Sequence, residues 1–270
     1  MNDIQKDPEN AHQQAPISSS AGQDSVGRPV IDTSSYVFSR RHNCPVCQKE
    51  FFNWALRASR IKLDHSDSDL KPFYVPLDPL YYDVTICQHC GYSAMASYFS
   101  KISTLKIDQV TAKISPDFTP KEYPPFYTPD IAIERYKQAL LSTLAKDAPD
   151  SEKAYLCLKL SWLYREKKDR RQEIVFQRYA LAGFKAAYMQ ESLPVCGMDE
   201  PTLTYLLGEL NRRLGQLDEA LRLISRVLTS PGINSRLRER ALEVKGMITD
   251  ARARQKAHDN AETDIPGKKQ

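Results

Sequence analysis

The chain has 270 residues, 41% of them hydrophobic and 27% charged, and its 38 basic and 34 acidic side chains leave a net charge of +4. That balance is ordinary for a globular protein and too mild to demand a nucleic acid or a membrane surface as partner. No apolar run approaches the roughly 18 residues of a bilayer span, and the opening MNDIQKDPENAHQQAP lacks the apolar stretch of a secretory signal, so a cytoplasmic protein with reduced thiols and no membrane contact is expected.

Residues 1–35 contain no aromatic side chain and are rich in Gln, Ser, Asp and Asn, so they are expected to be a disordered tail. Residues 36–115 form a module that holds four of the six cysteines, with short candidate strands in LRASRIKLD and YYDVTIC. Cys44-Pro-Val-Cys47 and Cys87-Gln-His-Cys90 are two C-x-x-C turns separated by 39 residues. Each turn aims two sulfurs at one point, and four thiolates suit tetrahedral zinc with a closed coordination shell. Pro45 and Gly91 fit such turns, whose backbone N–H groups can also donate to the sulfurs. We therefore expect a structural Zn2+ on Cys44, Cys47, Cys87 and Cys90, with His42 and His89 as bystanders. No βαβ context supports a thioredoxin-like redox site, although zinc-held thiolates remain oxidisable. Between the turns, Asp64, Asp67, Asp69, Asp78 and Asp83 accompany His65, Tyr74, Tyr81 and Tyr82. A second metal or acid–base site is one reading; the favoured one is turns, with Asp67 and Asp69 bonding backbone and Pro79–Tyr82 packing on the ribbon. Arg57, Arg60 and Asp67 are candidates for a buried ion-pair network.

Residues 116–129 are a Pro-rich linker that cannot be helical, and Phe118, Tyr123, Phe126 and Tyr127 imply that it packs on something. Over 130–251 the apolar spacing predicts six helices. Their faces are Ile133/Tyr136/Leu140/Leu144, Leu156/Leu160/Leu163, Phe176/Ala180/Phe184/Ala187, Leu203/Leu206/Leu207/Leu210/Leu214, Leu221/Ile224/Leu228 and Leu237/Ala241/Val244/Ile248. Short connections stack such helices as antiparallel hairpins. The run from Leu206 to Pro231 resembles a tetratricopeptide repeat, with Gly208 and Ala220 as its small residues, Gly215 before the turn and Pro231 at the end. Asn211 and Thr204 depart from that pattern, standing where it has aromatic residues. Arg165, Lys167, Lys168, Arg170 and Arg171 read as a solvated turn. Cys157 reads as a core residue, and Cys196, in a loop, as the more reactive of the two. Residues 252–270 read as a disordered charged tail. The expected fold is mainly α, with stacked tetratricopeptide-like hairpins and a small β zinc-ribbon-like module.

Several pieces together resemble the bacterial family named domain of unknown function 2225. They are CPVCxxxF from Cys44 to Phe51, the run Arg57 to Ile61, the stretch Asp67 to Tyr74, PLYYDV from Pro79 to Val84, and CxHCGY from Cys87 to Tyr92. The resemblance covers Cys44 to Thr249 and implies a bacterial, cytoplasmic protein without an assigned activity.

Three functions follow as expectations. The first is a non-enzymatic adaptor or scaffold that binds a protein or peptide on its helical surface. The second, less favoured, is nucleic-acid binding through Arg40, Arg41, Lys49, Arg57, Arg60 and Lys62, with Phe51, Phe52 and Trp54 stacking on bases; a zinc–thiolate redox sensor is a further alternative. An enzyme is disfavoured, since no phosphate loop, H-E-x-x-H, G-x-S-x-G or triad spacing is present.

Overall fold

The computed structural model describes residues 35–263, and side chains as far as residue 257. The predicted disordered stretch 1–35, Ser35 apart, lies outside the described residues, as do residues 264–270. Three two-stranded antiparallel sheets come first: β1 (Val37–Asn43) with β2 (Glu50–Leu56), β3 (Lys62–Ser66) with β4 (Pro72–Val75), and β5 (Val84–Ile86) with β6 (Ser93–Met95). Seven helices follow among the described residues: α1 (Thr104–Lys113), α2 (Pro129–Ala145), α3 (Asp150–Glu166), α4 (Arg170–Gln190), α5 (Glu200–Arg213), α6 (Leu217–Thr229) and α7 (Ser235–Thr263). The protein is mainly helical with a small β module.

The helices start where the local chemistry allows. Thr128, Asp169 and Asp199 accept from backbone N–H groups three residues on, and Pro129 and Pro201 occupy first turns, where a missing N–H does no harm. α3 packs on α4, and α5 on α6, which packs in turn on α7. Glycines permit two close approaches: a Cβ on Gly183 would lie 2.8 Å from Ala154 Cβ, and one on Gly208 would lie 2.8 Å from Ile224 Cδ1. Asn211, in an aromatic position of the repeat pattern, is fully buried and donates Nδ2 to the Leu207 carbonyl at 2.6 Å.

Several elements differ from their sequence reading. LRASRIKLD is the end of β2, a 3-10 turn (Ala58–Arg60) and the start of β3, while YYDVTIC begins in a second 3-10 turn (Pro79–Tyr82) before β5. Pro79–Tyr82 packs on the helices as well as on the β module: Leu80 lies in the main helical core, its carbonyl accepts from Tyr136 Oη at 3.1 Å, and Tyr81 Oη donates to Glu166 at 2.7 Å. α1 has no counterpart in the prediction, because Val110 is its one buried residue. α7 runs on to Thr263, through the first part of the predicted disordered tail; alternating Ala, Arg, Gln and Lys are good helix formers. On α2, Leu144 is exposed and Arg135 is buried instead. The Arg135 guanidinium lies 4.8 Å over Tyr123 and 4.6 Å over Tyr127, so these two tyrosines of the Pro-rich linker pack on it. Nη2 of Arg135 also donates to Val84 O at 2.6 Å and Asn53 Oδ1 at 2.9 Å.

The β module and the helices share one core. Val84, Ile86 and Met95 cluster with Ile133, Leu156, Phe184 and Leu206. A polar joint reinforces it. The turn Asp67-Ser68-Asp69 is held by α3, α5 and α7 together. Arg165 Nη1 donates to Asp67 at 2.7 Å, its Nη2 binds Asp69, and its Nε donates to Glu173 at 2.8 Å. Trp162 Nε1 donates to Asp69 at 3.0 Å, Tyr205 Oη to Ser68 O at 2.7 Å, and Arg240 Nη1 to Asp67 O at 3.2 Å. Arg213 reaches Asp67 at 3.1 Å and Glu209 at 2.6 Å. Asp67 Oδ1 also accepts from the Ser68 N–H at 2.7 Å, as the turn reading expected. Two other expectations are corrected. Arg57 and Arg60 take no part: the first lies 5.1 Å over the Phe38 ring and the second is exposed. Arg165, assigned to a solvated turn, points inward because two carboxylates of the module meet it there; Lys167, Lys168, Arg170 and Arg171 are exposed.

Candidate metal centre

Each C-x-x-C is the turn of a β-hairpin, the first joining β1 to β2 and the second β5 to β6. The two turns share one backbone pattern. Cys44 N donates to Lys49 O at 3.0 Å and Gln48 N to Cys44 O at 3.0 Å; Cys87 N donates to Tyr92 O at 2.9 Å and Gly91 N to Cys87 O at 2.9 Å. The residue after the second cysteine is left-handed in both, with φ of 59° at Gln48 and 74° at Gly91. Glycine adopts that conformation without penalty, whereas Gln48 is fixed by its own Nε2 donating to Pro45 O at 2.8 Å. Val46 N lies 3.4 Å from Cys44 Sγ, a backbone donor aimed at a sulfur.

The hairpins bring together the four sulfurs that the sequence singled out. Cys44 Sγ lies 3.6 Å from Cys90 Sγ, Cys47 Sγ lies 3.6 Å from Cys87 Sγ, and all four fall within 4.8 Å of one another. Sulfurs on a tetrahedral zinc, at Zn–S of about 2.3 Å, would be roughly 3.8 Å apart. A disulfide would need about 2.05 Å. Cys44, Cys87 and Cys90 are buried and Cys47 is partly buried. The site could hold a metal ion.

The four thiols are not equivalent. Hydrogen bonding among them pushes the Cys87 thiol down and the Cys44 and Cys90 thiols up. Alone, the cluster favours one thiolate over its neighbours. A divalent ion stabilises all four thiolates at once.

The neighbours are apolar or already engaged. Phe51, Tyr92, Phe99, Val110 and Ile114 pack round the thiols. His42 stacks on Phe51 at 5.4 Å, and His89 Nε2 donates to Glu50 O at 2.9 Å; neither ring nitrogen joins the sulfur group. Phe118 from the Pro-rich linker closes over the second turn so tightly that a Cβ on Gly91 would lie 2.4 Å from its ring.

A bacterial family described as "Uncharacterized protein conserved in bacteria (DUF2225)" matches residues 37–248. The chain belongs to this family. No curated protein and no solved structure matches it. The family's span takes in both C-x-x-C turns, α1 to α6 and the first half of α7.

The remaining candidates separate. Among the described residues, the four cysteines are the one metal-capable group of three or more, so the inter-turn carboxylates form no second one. Asp64 pairs with His65 on the surface at 2.8 Å, Asp78 caps the 3-10 turn by accepting from Leu80 N at 2.9 Å, and Asp83 pairs with Lys159. Cys157 is buried and its thiol is pushed up to about 12 by burial. Cys196 is also pushed up by burial, and its thiol donates to Ser151 O at 3.3 Å, so its position in a loop confers no activation. Asp67 was expected in an ion-pair network, but its actual partners, Arg165 and Arg213, were missed because they lie far away in sequence.

Gly91→Ala is expected to destabilise the protein by about 2–5 kcal/mol, adding a left-handed penalty of about 1–2 to overpacking of about 1–3. Chemical denaturation monitored in the near-UV would measure it. A loss below about 0.5 kcal/mol, within the range of ordinary surface substitutions, would mean that Phe118 does not seal the turn.

Proposed function

We propose that this protein is a non-enzymatic, cytoplasmic interaction adaptor whose N-terminal module is shaped by one zinc ion on Cys44, Cys47, Cys87 and Cys90. The observation that carries the structural role is the closed donor set. Four thiolates use every position of tetrahedral zinc and leave none for water or substrate. The helical hairpins supply the partner surface. The side of α3, α5 and α7 that grips Asp67–Asp69 is filled by the chain itself, so a partner would meet other faces. Tyr179 and Met189 on α4 are 61% and 79% exposed and offer apolar anchors there.

Nucleic-acid binding has less support. Phe51 is buried, and Trp54 is engaged through Nε1 with Tyr123 O at 3.1 Å, which leaves Phe52 of the three predicted stacking residues free. No described helix is long and apolar enough to cross a membrane.

Elemental analysis of purified protein should find about one zinc per chain. Cross-linking in the native host should then capture the same protein partner reproducibly, and Tyr179→Glu with Met189→Glu should lose it. A protein that carries no metal refutes the zinc half of the reading. Steeply salt-dependent retention on single-stranded DNA would refute the adaptor half.

A further inference from the structure

A cavity of about 680 Å³ lies between the β module and α3. Small-ligand sites span about 300–1,000 Å³ and combine apolar walls with a few polar groups. Here the walls include Leu56, Ile61, Leu80, Tyr74, Tyr82 and Trp162. Four charged residues also line it, Arg40, Asp78, Asp83 and Lys159, and they are not equivalent. Lys159 is committed to Asp83, with its ammonium 4.6 Å over the Tyr155 ring. Arg40 is an exposed residue of β1.

Asp78 is the exception. Asp67, Asp69, Asp83 and Glu166 each have a base, supplied by Arg165, Arg213, Lys159 or Lys71. Asp78 has no ion pair among the described residues, and its carboxylate accepts one backbone N–H, from Leu80. Burial pushes its carboxyl above the usual carboxylate range and Glu166 adds to this, while the Leu80 N–H and the charges of Lys71 and Lys159, neither of them paired with it, offset part of the rise.

The geometry points to a binding site for a small organic cation, a primary amine on an apolar, ring-sized body, with its ammonium on Asp78 and its body against the aromatic wall. An ammonium answers the carboxylate with charge-assisted hydrogen bonds, and the faces of Tyr and Trp attract cations. A neutral apolar ligand would bury the carboxylate without a partner, and an anion would meet its repulsion. The site goes beyond the adaptor reading and stands without it.

Isothermal titration calorimetry on the full chain tests it with 2-phenylethylamine, 2-phenylethanol and phenylacetate, one body with three end groups. The amine should bind saturably and at least about tenfold tighter than the alcohol, or about 1.4 kcal/mol, and the acid should not bind. Asp78→Asn should erase the preference for amine while keeping the fold, because Asn caps a helical turn as well as Asp does. Ala58→Phe, at an exposed position of the wall, should weaken the amine and the alcohol alike. Equal affinity for amine and alcohol, tighter binding of the acid, amine binding indifferent to Asp78→Asn, or no heat from any of the three would overturn the proposal.

Discussion

Stripping the proposed zinc from the four-thiol centre is expected to unfold the segment around Cys44–Cys90 while most of the helices stay folded. Zinc held by four thiolates binds with an apparent free energy of about 10–16 kcal/mol at neutral pH. A whole domain is typically stable by about 5–15 kcal/mol, so no local packing replaces the ion. The cluster of Phe51, Tyr92, Phe99, Val110 and Ile114 is built round the sulfurs, and each flanking hairpin is a two-stranded ribbon. Such ribbons are marginal alone. By contrast, α5, α6 and α7 keep a separate cluster of Tyr205, Ala220, Ile224, Val227, Leu237, Ala241, Val244 and Ile248. A strong chelator should therefore abolish near-UV structure from the module, open new protease sites between β1 and α1, and leave most of the far-UV helical signal. Cys87→Ser with Cys90→Ser should do the same without chelator. Chelation that removes metal yet changes neither the near-UV spectrum nor proteolysis would refute a structural role for the ion.

The helices and the thiol set were legible in the sequence because both are local patterns. A 3.6-residue repeat of Leu and Ala marks a buried face wherever it lies, and the predicted faces on α3 to α7 are buried or partly buried. C-x-x-C fixes two sulfurs in one turn, and only the meeting of the two turns is long-range. What was not legible is polar and distant. Asp69 reads as a turn residue, yet its side chain is fully buried because Arg165, 96 residues away, and Trp162, 93 residues away, close on it. Arg135 breaks the apolar pattern of α2 because two tyrosines of the Pro-rich linker accept its cation; the buried face runs through Ala132, Arg135, Tyr136, Ala139 and Thr143 and leaves Leu144 exposed. α1 escaped because Leu105, which would anchor an apolar stripe, is 84% exposed. For Asp69 and Arg135 the deciding partner belongs to another element, which the spacing within one segment does not encode.

The second large effect is expected at that polar joint. Asp69→Ala should destabilise the protein by about 3–5 kcal/mol, the range for breaking a buried pair from one side. The substitution removes the acceptor of the Trp162 indole N–H and the bidentate partner of Arg165, whose Nη1 and Nη2 both reach Asp69. Exposed ion pairs give only about 0–1 kcal/mol; Asp69 differs because its side chain is 0% exposed. Asp69→Ala with Arg165→Met should lose less than the sum of the two single variants, since both members of the pair are gone while Asp67 keeps Arg213 and Glu173 keeps Arg170. Acid should act on the same joint. Burial pushes the Asp67 carboxyl up, but Arg213, the Ser68 N–H and Arg165 outweigh it and hold it below its usual range. Its stabilising contribution is therefore complete above the unfolded value of about 3.9 and disappears as pH falls through the lower folded value. Denaturant midpoints measured from pH 7 downward should show that loss in the native protein, and Arg213→Met should shift it to higher pH. A cost below about 1 kcal/mol for Asp69→Ala would mean that the turn only rests on the helices, and that the apolar core of Val84, Ile86 and Met95 holds the two halves together on its own.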